Sequence, residues 1–92
     1  MTTVLVVEDT ISEQDLIVGY LVESGYSVIT ATNGQDAIAK ITGKKLDVVV
    51  TDLVMPGMSG LELCRSLKKN IETKDVPIVA CTSKNQELDK LW

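Results

Sequence analysis

Three short apolar runs, Val4-Leu5-Val6-Val7, Val48-Val49-Val50 and Ile78-Val79-Ala80-Cys81, constrain the fold of this chain more than any other feature. Each is rich in β-branched residues, unbroken by polar side chains and too short for a free-standing helix. Such runs suit strands covered on both faces, as in a parallel sheet. A fourth segment, Tyr26 to Ala31, mixes Ser27 and Thr30 with Val28 and Ile29, which suits an edge strand.

Helical signals fill the gaps. Thr10-x-x-Glu13 has capping-box spacing ahead of an apolar stripe of Leu16, Ile17, Tyr20 and Leu21. Gly25 then stands where a helix C-terminal glycine is expected. Asn33-Gly34 forms a turn before Gln35 to Ile41, in which Ala37, Ile38 and Ile41 share a face. Ser59-x-x-Glu62 repeats the capping spacing ahead of Leu61, Cys64 and Leu67, and Ser83-x-x-Gln86 does so ahead of Leu88, Leu91 and Trp92. Pro56 falls in a loop and Pro77 just before a strand, where a missing N–H does no harm. The order is therefore β-α repeated four times, which predicts an open, doubly wound α/β domain on a parallel sheet.

Composition removes several function classes. Ninety-two residues suffice for one small domain, and a hydrophobic fraction of 45% excludes disorder. There is no Phe, and the aromatics are Tyr20, Tyr26 and Trp92, so stacking on nucleic-acid bases has little to work with. A net charge of −4 also opposes a phosphate backbone. No basic flank precedes the first apolar run and no run approaches bilayer-spanning length, so a cytoplasmic, non-membrane chain is expected. Cys64 and Cys81 fall inside expected secondary structure and read as free, buried thiols. With no His and no Cys-x-x-Cys, structural zinc is not expected.

In open parallel sheets, functional groups gather at the C-terminal ends of the strands. Here those ends carry Glu8 and Asp9, then Asp52, then Thr82 and Ser83. Any one of these acids alone reads as an ordinary helix cap or solvated residue. Three carboxylates at one rim repel one another, and either raise a pKa or hold a hard cation. An all-oxygen set favours Mg²⁺ over zinc. This reading requires residues 8, 9, 52 and 82 to share one acidic cup.

Three blocks in order, Val4-Leu-Val-Val-Glu8-Asp9, Asp47-Val-Val-Val-Thr-Asp52-Leu-Val-Met-Pro56-Gly-Met-Ser-Gly60 and Pro77-Ile-Val-Ala-Cys-Thr82-Ser83, resemble the receiver domains of two-component response regulators. The resemblance covers essentially the whole chain and is most specific from Asp52 to Gly60. It implies a flavodoxin-like sheet of strand order 2-1-3-4. It implies that Asp52 is the phosphoacceptor, attacking a phosphohistidine or small phosphodonor, and that Glu8 and Asp9 hold Mg²⁺, Asp9 directly and Glu8 through water. Val54 would offer its backbone carbonyl to the metal. Thr82 matches the switch hydroxyl, and Ser83 a small residue beside the phosphoryl site. The implied partner is a histidine kinase or phosphotransfer protein, and the implied chemistry is self-phosphotransfer and autodephosphorylation rather than turnover as an enzyme.

The family pattern continues with a fifth strand, an active-site lysine and a fifth helix, and residues 1–92 carry none of them. Lys84 and Lys90 do not match that lysine in position. Weak or undetectable phosphorylation of these 92 residues is expected, with Mg²⁺ binding retained. An uncovered fourth strand and last helix would favour a homodimer. Two other readings compete. One is a receiver-like interaction or dimerisation module without chemistry. The other is a Mg²⁺-dependent phosphohydrolase, against which Val54 stands where such enzymes carry a second acid. Nucleotide-binding glycine motifs do not occur.

Overall fold

The structure, a computed structural model, describes residues 2–51 and 60–80. Four strands alternate with three helices: β1 (Thr3–Val7), α1 (Ile11–Glu23), β2 (Ser27–Ala31), α2 (Gly34–Ile41), β3 (Val48–Thr51), α3 (Gly60–Lys69) and β4 (Ile78–Ala80). All strand pairs are parallel and the order is β2-β1-β3-β4, as the resemblance implies, with β2 at one edge. Cys81 and the helix expected after Ser83 lie outside the described residues.

Alternation along β1 divides the core. Leu5 and Val7 face one side, where they join Ala31, Ala37, Ile41, Leu46, Val49, Leu63 and Leu67 in a single buried cluster. That side is covered by α2 and α3. Val4 and Val6 are equally buried but belong to the other face, where α1 packs on β1 and β2. Full burial of a side chain such as Leu5, Val6 or Leu63 stabilises the fold by about 1.5–3 kcal/mol each.

The helix ends follow from local chemistry. After α1, Gly25 adopts φ +92°, a conformation that glycine enters without a Cβ penalty. Its N–H donates to Val22, and the N–H of Tyr26 donates to Leu21, so the last carbonyls of α1 are satisfied in a Schellman arrangement. Asn33 caps α2 by accepting the N–H of Asp36 at 2.7 Å. Past α3, Thr73 Oγ1 donates to the Leu67 carbonyl at 2.6 Å and tucks the loop beneath the core.

Three expectations are corrected. The stripe of α1 that faces the sheet is Gln14, Ile17, Val18 and Leu21, whereas Leu16 and Tyr20 are 75% and 73% exposed. In α3, Leu63 and Leu67 point inward and Leu61 faces solvent. Cys64 is half-buried rather than buried.

Candidate functional site

The register levels the strand ends. Val7 pairs with Ala31 on one side and with Thr51 on the other, and Thr51 pairs with Ala80. Val7, Ala31, Thr51 and Ala80 therefore lie on one line across the sheet, and the chain leaves β1 through Glu8 and Asp9 just past that line. In sequence Asp52 follows Thr51 directly. Asp52, Val54, Thr82 and Ser83 lie outside the described residues, so the structure places Glu8 and Asp9 of the expected set.

Glu8 is 3% exposed, unusual for a carboxylate unless it is well hydrogen-bonded. Its backbone N–H continues the ladder to the Ala31 carbonyl at 3.0 Å. Its side-chain Oε2 accepts the N–H of Thr10, the N-cap of α1, at 2.8 Å. The start of α1 favours negative charge there through the helix dipole. Asp9, the next residue, is half-buried.

That hydrogen bond overturns the capping box expected from Thr10-x-x-Glu13. The Thr10 side chain makes no capping bond, and its N–H, the donor Glu13 would have reached back to, is held by Glu8 instead. Glu13 Oε2 is left buried without a hydrogen-bond partner among the described residues. A carboxylate before the helix has thus taken the role expected of one inside it.

Reading the residues also missed Gln14. Its Nε2 donates to the carbonyls of Glu8 at 3.2 Å and Ala31 at 3.0 Å, tying α1 to the ends of β1 and β2. The signal was available in part: Gln14 shares helical spacing with Ile17, Val18 and Leu21, so it is a polar group on an apolar stripe.

Chemically, Glu8 and Asp9 offer hard oxygen donors on adjacent residues at a strand end, a donor set that fits Mg²⁺ rather than a softer ion. Among the described residues no group of three or more His, Cys, Asp or Glu side chains is poised to hold a metal; the third acid of the expected set, Asp52, lies outside them. A groove of about 240 Å³ between the C-terminal ends of α2 and α3, lined by Ile38, Ile41, Leu67 and Thr73 among others, is at the opposite end of the strands and carries none of these groups.

A model of the response regulator receiver domain matches residues 4–91. The chain is 39% identical to protein PilH of Pseudomonas aeruginosa over all of its own length and 76% of that protein. It spans between 36% and 39% of longer curated relatives. Among solved structures, the chemotaxis protein CheY4 of Vibrio cholerae superposes with a TM-score of 0.88 at 33% identity, covering 99% of this chain and 76% of that one. The response regulator TrrA of Thermotoga maritima, in complex with the histidine kinase ThkA, gives 0.82 at 36% identity over 94% of this chain and 72% of that one. TrrA in complex with Mg²⁺ and BeF gives 0.74 at 27% identity over 99% and 96%.

Proposed function

This chain belongs to the response regulator receiver domain family, and on that premise we propose that it accepts a phosphoryl group on Asp52 from a histidine kinase or phosphotransfer protein. The observation that carries the reading is the common level of the strand ends, Val7 beside Thr51 and Thr51 beside Ala80. It brings Glu8 and Asp9 to the same edge as the strand that leads into Asp52.

In this reading the Asp52 carboxylate forms a bond to phosphorus as the donor's bond to phosphorus breaks, giving an acyl phosphate that water later hydrolyses. Glu8 and Asp9, with Asp52 and the Val54 carbonyl, would hold Mg²⁺, which lowers the repulsion between an anionic nucleophile and an anionic donor. Thr82 supplies a hydroxyl to the phosphoryl oxygens and Ser83 leaves room for them. The complex of TrrA with ThkA and its complex with Mg²⁺ and BeF support a kinase partner and the metal.

The protein is placed in the cytoplasm, makes no direct nucleic-acid contact at a net charge of −4, and forms a homodimer through the fourth strand and last helix. Among the described residues no helix is long and apolar enough to cross a membrane. Val79, half exposed on β4, offers an apolar side chain on that strand.

The test is incubation with a small phosphodonor and Mg²⁺, followed by borohydride trapping and peptide mapping. The yield is read against Asp52→Asn rather than as stoichiometry. A Mg²⁺-dependent mass shift on the Asp52 peptide, lost in the variant, is expected. A shift that the variant retains contradicts the proposal, and a chain that neither shows the shift nor binds Mg²⁺ favours an interaction module without chemistry.

A further inference from the structure

Glu8 is anchored through its main chain as well as its carboxylate. Its N–H is held by the Ala31 carbonyl at 3.0 Å, and its own carbonyl accepts Gln14 Nε2 at 3.2 Å. Gln14 is 8% exposed and donates its second hydrogen to the Ala31 carbonyl at 3.0 Å. A primary amide nitrogen carries two hydrogens, so both bonds form together. One side chain of α1 thereby closes the rim where β1 and β2 end, at the peptide that joins Glu8 to Asp9.

We propose that Gln14 is a positioning residue for Mg²⁺: by holding the Glu8 carbonyl it fixes the plane of the Glu8–Asp9 peptide and so the placement of both carboxylates. The proposal rests on the Mg²⁺ reading above and extends it to a residue outside the acidic set. Groups that orient metal ligands without touching the metal alter affinity by 10–100-fold in other sites. A merely structural Gln14 would instead act on stability alone.

Mg²⁺ titration of the ¹⁵N-labelled chain, followed at the amides of Asp9 and Thr10, separates the two roles. Gln14→Met keeps the length of the side chain and removes both donors. Ile41→Val, in the buried cluster on the other face of the sheet, is the control for lost stability. Gln14→Met is expected to weaken Mg²⁺ binding on the order of tenfold, while Ile41→Val lowers Tm and leaves the affinity unchanged. Gln14→Asn, one methylene shorter, carries the same test if Gln14→Met does not fold. Wild-type affinity in a folded Gln14 variant, or an equal loss in Ile41→Val, overturns the positioning role and leaves the metal reading standing. A wild-type chain that shows no Mg²⁺-dependent shift overturns the metal reading itself.

Discussion

Thr51 lies beside Val7 in the β1–β3 ladder, and Asp52 follows Thr51 in the sequence as Glu8 follows Val7. Two segments more than forty residues apart thus leave neighbouring parallel strands at the same level. The register, set by side-chain alternation on β1 and β3, brings the two exits to one edge of the sheet. A slip of one residue would turn Val49, fully buried, away from the α2–α3 layer.

Glu13 should be more costly than helpful to the fold. A buried oxygen without a partner costs about 1–3 kcal/mol, whereas an acidic residue in the first turn returns about 0.3–1 kcal/mol through the helix dipole. The first effect is the larger. Glu13→Met is therefore expected to raise stability by about 1 kcal/mol, measured by urea denaturation. A loss of stability would mean that the charge at the start of α1 dominates.

The two faces of α3 give opposite outcomes. Leu63 is fully buried and Leu61 is 54% exposed. Leu63→Ala should cost about 2–5 kcal/mol, through lost transfer energy and the cavity left behind. Leu61→Ala should stay within about 0.5 kcal/mol. Equal effects of the two truncations in the same denaturation experiment would mean that the helix is rotated from the position described.

Burial pushes the Cys64 thiol above its ordinary value of 9.0, with the Lys68 charge pulling the other way. The thiolate is the reactive form, so at neutral pH Cys64 should alkylate more slowly than an unstructured cysteine. The sign for stability follows. The thiol is protonated in both states below pH 9.0, and the folded state is penalised as pH rises through that value. Peptide mapping of iodoacetamide adducts at Cys64 between pH 7 and 10 checks the first point, and faster reaction than a free peptide cysteine contradicts it.

Much of the fold was legible because its strands are short, apolar and evenly spaced; Val4–Val7 and Val48–Val50 could hardly be anything else. The helix faces were harder. In α1, apolar residues lie on two overlapping stripes, Leu16–Tyr20 and Ile17–Leu21, and spacing alone does not say which one meets the sheet. The stripe that meets the sheet is the one that carries Gln14, whose amide donates to the two strand-end carbonyls. The capping box failed for a related reason: sequence spacing records where Glu13 can reach, not that Glu8 reaches Thr10 first. Of the acids expected as a set, Glu8 and Asp9 stand at the end of β1, while Asp52 lies outside the described residues.

The central claim is that Glu8, Asp9 and Asp52 form one cation site, and Mg²⁺ affinity in two matched variants tests it most directly. Asp52→Asn and Asp47→Asn remove the same charge from opposite ends of the β3 region. Asp47 Oδ2 accepts the Thr3 N–H at 2.7 Å at the far end, a role an Asn oxygen can keep. A weakening by at least about tenfold in Asp52→Asn, with Asp47→Asn unchanged, is the predicted result. Equal affinities in wild type and Asp52→Asn would contradict the account.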